Sequence, residues 1–170
     1  VQVRRIKKVW MHELYNGNIL YDIAMVELKQ PMVCTPYVQL ACLPGPTVTV
    51  SALQCYNAGW GLTYTKAVDS QDVLKQVKVL LIDTQLCNSS DWYGGTLPIQ
   101  DYNLCAGYPE GGKSTCQGDS GGPLICKDTT ADVFWEVGLT SWALGCARPK
   151  KPSVFVSTQY FYNWIVEKMG

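Results

Sequence analysis

The sequence has 170 residues, with 14 basic and 14 acidic side chains, 47% hydrophobic residues and 16% charged residues. That composition is too apolar for a disordered chain. The zero formal net charge gives no global argument for nucleic acid as a partner, and no apolar run is long enough for a transmembrane helix. The length suits one domain, and residues 1–170 read as one.

From the N-terminus, basic residues interrupt every apolar run between Val1 and Lys8, so this stretch is not a signal peptide. Turn signals follow at Asn16-Gly17 and Pro44-Gly45. The run from Gln76 to Ile82 mixes alternation with continuous apolar residues and predicts a strand. Further turns fall at Gly94-Gly95 and Glu110-Gly111-Gly112. Phe134 to Leu139 and Val154 to Val156 are rich in aromatic and β-branched residues and predict two more strands. Short strands between frequent turns predict an all-β barrel or sandwich. The C-terminus differs: Phe161, Trp164, Ile165, Lys168 and Met169 recur at helical spacing and predict a short closing helix.

Eight cysteines stand beside a single histidine, and no C-x-x-C pair occurs. Zinc is a poor fit to that set, and no metal or other cofactor is expected. Disulfides in an oxidising, secretory compartment fit better. In such a compartment the one N-x-[ST] sequon, at Asn88, is expected to carry a glycan on a surface loop.

The sharpest motif is Gly118-Asp119-Ser120-Gly121-Gly122-Pro123. A serine hydroxyl is a weak nucleophile that needs a base and donors aimed at the oxyanion it creates. Glycine before the serine lets the backbone turn so that the Gly118 and Ser120 N–H groups point to one spot. An aspartate buried beside the serine calls for a cation.

Gly118 to Pro123 resembles the nucleophile segment of the chymotrypsin-like serine proteases, the trypsin family. Asp22 to Val26 resembles the segment that carries that family's triad aspartate. Gly59-Trp60-Gly61 resembles a structural turn, Thr140-Ser141-Trp142 with Gly145-Cys146 a wall of the specificity pocket, and Asn163-Trp164-Ile165 the terminal helix. The resemblance runs from Val1 to Gly170. Leu86-Cys87-Asn88-Ser89, Trp92-Tyr93, Cys105 to Pro109 and Gly145 to Arg148 are more narrowly similar to the acrosin group of that family.

The resemblance implies a chymotrypsin-like double β-barrel, with the second barrel and part of the first in this chain. It implies a secreted or secretory-vesicle endopeptidase acting on protein or peptide substrates. Ser120 would be the nucleophile, Asp22 the carboxylate that orients the histidine, Gly118 and Ser120 the oxyanion donors, and Asp119 the lock on the active conformation. Ser114, Ser141, Trp142, Ala143 and Ser153 would form the specificity pocket. Cys55 would pair with Cys126, Cys87 with Cys105, and Cys116 with Cys146. Cys34 and Cys42 would reach a disulfide-linked light chain; a local bridge or two free thiols are the alternatives. The basic residues Arg4, Arg5, Lys7 and Lys8, and again Arg148, Lys150 and Lys151, would suit a sulfated glycan, but charged guards on solvated strand edges explain them more simply.

The sequence also departs from the family. Its only histidine, His12, lacks the flanks of the catalytic one and reads as a surface residue. No Ile-Val-Gly-Gly start is present to supply an ammonium for Asp119. Both departures are expected if the domain is incomplete at its N-terminus and the base lies before Val1. Ser114 replaces the aspartate that meets basic substrates, while Ala143 and Ser153 replace glycines, so a preference for Arg or Lys is not implied. An inactive homologue that binds protein or glycan is the competing reading.

Overall fold

The computed structural model describes residues 1–50, 54–62, 73–128 and 132–170. Two strands come first: β1 (Ile6–Met11) and β2 (Ala24–Leu28) pair antiparallel as a separate sheet. Six more form a closed barrel: β3 (Gln54–Gly59), β4 (Lys75–Ile82), β5 (Asn103–Gly107), β6 (Pro123–Asp128), β7 (Val133–Trp142) and β8 (Ser153–Ser157). Their order is β3-β4-β5-β8-β7-β6, with β3 and β6 pairing to close the ring. The all-β architecture read from the sequence is therefore present. Closure removes the open strand edges that invite aggregation.

The barrel interior is filled by Cys55, Val79, Ala106, Leu124, Cys126, Val137 and Phe155. These residues come from all six strands, because alternate side chains of a strand face inward. Cys55 and Cys126 are direct partners across β3 and β6 and are joined by a disulfide. Cys87–Cys105 and Cys116–Cys146 complete the bonded set. The three bridges span 71, 18 and 30 residues, and loop-closure entropy assigns roughly 3 to 4.5 kcal/mol to each. Cys34 and Cys42 are exposed and unbonded, which removes the local bridge between them.

A one-turn helix, α1 (Thr84–Cys87), starts where the Asp83 carboxylate accepts the Gln85 and Leu86 N–H groups. The closing helix α2 (Tyr162–Met169) follows β8. Its predicted stripe is shorter than the spacing suggests. Phe161 and Ile165 are buried, whereas Met169 is 68% exposed.

Phe161 and Ile165 pack with Ile23, Tyr102 and Val156. That cluster docks the β1–β2 hairpin on the barrel. Each buried apolar side chain contributes about 1.5–3 kcal/mol. A hairpin that lacks its own barrel partners would be expected to leave Ile23, Met25 and Val26 bare. Only Val26 is exposed; Met25 is half-buried and Ile23 is 5% exposed against α2. In β1, Ile6, Val9 and Met11 are exposed, and Met11 borders the cleft that also holds Asp22 and Ser120.

Candidate active site

The loop from Cys116 to Gly122 joins the barrel core to β6. It is folded by two tight turns, with Asp119 N–H donating to Cys116 O and Gly122 N–H to Asp119 O. Two rungs tie it to β7: Gly121 N–H to Thr140 O and Thr140 N–H to Gly122 O. Gly118 has φ +94° and Gly121 φ +76°, a region that side chains avoid. A Cβ on Gly118 would also lie 3.1 Å from Gly61 Cα. Ser120 stands exposed at the tip. Among the described residues, its Oγ makes no hydrogen bond, and neither do the Gly118 and Ser120 N–H groups.

Asp119 points the other way. Its carboxylate accepts the Gly61 N–H at 2.8 Å and the Cys116 N–H at 2.9 Å. These two charge-assisted bonds anchor the anion to the Gly59–Gly61 turn and to its own loop. The fit explains Gly59-Trp60-Gly61. A Cβ on Gly59 would fall 1.8 Å from Asp119 Oδ1, and one on Gly61 2.5 Å from Asp119 Cγ.

Asp22 enters from the hairpin. Its Oδ2 accepts the Ser141 hydroxyl at 2.6 Å. Ser141 is aimed there by a bulge: β7 pairs Thr140 with Phe155 and Trp142 with Val154, and Ser141 is the extra residue between them. Asp22 and Ser120 line one cleft of about 480 Å³ with Tyr15, Ile23 and Leu139. His12 is elsewhere. Its ring stacks on Tyr21 and meets Phe161 and Trp164, and its Nδ1 accepts the Leu14 N–H.

A second cleft of about 220 Å³ also opens at Ser120. Ser141, Trp142 and Ala143 line it, together with Thr115 and the Cys116–Cys146 bridge. Of the other two residues assigned to the pocket by resemblance, Ser114 lines a neighbouring cavity with Gly61 and Asp119, and Ser153 is buried. The Ser114 hydroxyl donates to Thr115 O and accepts the Ala147 N–H. Ser153 is 1% exposed, and its Oγ accepts both the Thr115 N–H and the Thr115 hydroxyl. Thr115 was the residue that sequence reasoning missed. Its place between Ser114 and Cys116 was the only available signal.

Tyr93 supports the cleft from below. Its ring meets Trp142 edge-on, and its hydroxyl donates to Pro152 O and accepts the Leu144 N–H. Burial raises its ionisation above the usual phenol range. Among the described residues, no helix is long and apolar enough to cross a membrane, and no cluster could hold a metal ion.

The model of the Trypsin family matches residues 1–165. That match spans the hairpin, the barrel and both clefts at Ser120. This chain therefore belongs to the trypsin family and is a serine-type peptidase by descent.

Proposed function

We propose that the protein is a secreted, acrosin-like serine endopeptidase and that residues 1–170 are one incomplete peptidase domain. The observation that carries this is the shared cleft: a free Ser120 hydroxyl and the Asp22 carboxylate face the same space, beside two uncommitted N–H groups. Ser120 Oγ attacks the substrate carbonyl. Its proton passes to a histidine supplied from outside this sequence, and Asp22 orients that imidazole. The Gly118 and Ser120 N–H groups receive the oxyanion. Asp119, held by Gly61 and Cys116, fixes the backbone between those donors. The same histidine returns the proton to the leaving amine.

The exposed Cys34 and Cys42 support a disulfide-linked light chain. The exposed Asn88, whose Oδ1 accepts the Ile99 N–H, leaves its amide nitrogen open for a glycan. The basic clusters add little support for a sulfated glycan, because Lys7 pairs with Glu27 and Lys150 with Asp91.

The test is labelling of the full-length, activated protein with an organophosphonate. Labelling is expected at Ser120 and should disappear in Ser120→Ala, with turnover falling about 10^6-fold. Labelling that persists in the variant would refute the assignment.

A further inference from the structure

The end of the barrel that carries the nucleophile loop holds a buried polar pair. Asn57, on β3, is 3% exposed, and Thr140, on β7, is 7% exposed. The strand between them in the ring is β6, which starts at Pro123. Pro123 has no N–H to give to a neighbouring strand. The Asn57 amide donates to Pro123 O at 2.9 Å and to Thr140 Oγ1 at 3.1 Å. The Thr140 hydroxyl donates in turn to Gly122 O at 3.1 Å. That same carbonyl accepts the Thr140 N–H at 2.8 Å.

A buried amide and hydroxyl cost free energy unless their bonds are made, and an apolar pair of the same shape would carry no such condition. What the polar pair adds is direction. Its bonds to the main chain end on Gly122 O and Pro123 O, the two carbonyls that follow Ser120-Gly121. Gly122 is tied back to the loop by its N–H, which donates to Asp119 O at 2.9 Å. A Cβ on Gly122 would lie 2.8 Å from that oxygen, so the two residues move together. Ser120 and its N–H lie between them. The Asp119 carboxylate fixes the start of this span through Gly61 and Cys116, and Gly122 fixes its end. Asn57 acts from behind, since it lines neither cleft at Ser120.

We infer that Asn57 and Thr140 are positioning residues for the reaction at Ser120: amide and hydroxyl form one relay that holds the exit of the nucleophile loop, and with it the Ser120 N–H and Oγ. The inference rests on the reading of Ser120 as nucleophile and adds the groups that place it. Without the amide, the Thr140 hydroxyl is free to turn away from Gly122 O. Without the hydroxyl, the amide keeps only Pro123 O. Either loss breaks the same link, so the two should not add. A networked pair of this kind rigidifies its surroundings only while every member is bonded.

The test uses the full-length, activated protein at a temperature where circular dichroism shows each variant folded. Asn57→Leu and Thr140→Val should each slow phosphonate labelling of Ser120 about tenfold. The double variant should be no more than about twofold slower than the slower single one. In peptide cleavage Asn57→Leu should lower kcat and leave KM within about twofold, a split that a loss of stability alone does not produce. Thr140→Ser keeps the hydroxyl and should recover most of the rate that Thr140→Val loses; this pair carries the test by itself if Asn57→Leu does not fold. Amide hydrogen exchange at Gly121 and Gly122 needs no reaction and should speed about three- to tenfold in Asn57→Leu and Thr140→Val. If the unaltered protein does not label, the nucleophile reading falls and the exchange rates alone decide the role of the relay. Folded variants that label like the parent, additive losses, no recovery in Thr140→Ser, or unchanged exchange would overturn the inference.

Discussion

Gly59→Ala isolates the contact that fixes the nucleophile loop. Gly59 ends β3, paired with Lys75, at an ordinary negative φ that alanine accepts. The effect is therefore one of space alone. The new methyl would sit 1.8 Å from Asp119 Oδ1 and 2.7 Å from Asp119 Cγ. Backbone on both sides leaves only the carboxylate free to move. Moving it breaks the bonds from the Gly61 and Cys116 N–H groups. Hydrogen bonds to a charged group are worth about 1.5–3 kcal/mol each. A half-buried carboxylate regains some water, so the expected loss is about 2–4 kcal/mol. For a chain of this size that lowers Tm by about 4–16 °C. Asp119 lies between the two proposed oxyanion donors, so phosphonate labelling of Ser120 should slow at least tenfold as well. Gly45→Ala is the control: no atom lies within 4 Å of its Cβ, and stability should stay within about 0.5 kcal/mol. A Gly59→Ala protein that melts and labels like the parent would refute the argument that Asp119 packing sets the loop.

Two further outcomes follow from single contacts. Tyr93→Phe removes the hydroxyl that serves both Pro152 O and the Leu144 N–H. It strands two groups in the wall of the second cleft and should cost about 1–3 kcal/mol by urea unfolding; an unchanged midpoint would refute it. The second concerns acid stability. Glu13 titrates at about 2 rather than 4.5, chiefly because Lys168 bonds to it, with its own backbone and the Trp164 indole assisting. A folded value below the unfolded one stabilises the protein above pH 4.5, and that stability drains away as pH falls through about 2. Thermal melts between those limits should fall more steeply for the parent than for Glu13→Gln. Parallel curves would show that the contact to α2 contributes nothing.

The fold was legible because its signals are local or categorical. The β-branched and aromatic run Val154 to Val156 predicted a strand, and β8 contains it; Gly118 to Pro123 carried the family resemblance by itself. The second cleft was less so. Whether Ser114 or Thr115 faces it depends on which hydroxyl Ser153 and Ala147 capture, and both lie far along the chain. That Asp119 would be seated by two amide donors was not legible from its charge, because the seat depends on the close approach of Gly59 and Gly61, far along the chain. Periodicity placed Met169 on the apolar stripe, yet α2 ends at that residue with nothing opposite it.

The candidate site is assembled from two bodies, and this sets what its geometry depends on. Ser120 rides on the closed barrel, while Asp22 rides on a two-stranded sheet that would be marginal by itself. The residue before Asp22, Tyr21, has φ +53°, a conformation that costs a residue with a side chain about 1–2 kcal/mol. Its ring lies between His12 at 5.0 Å and Tyr102 at 4.8 Å, and Ile23 is buried beside Phe161 and Ile165. Those contacts offset the strain. The angle at which Asp22 meets Ser141 is thus set by aromatic packing on the far side of the hairpin. His12, the only histidine in the chain, takes part in that packing: it stacks on Tyr21, next to the carboxylate in sequence.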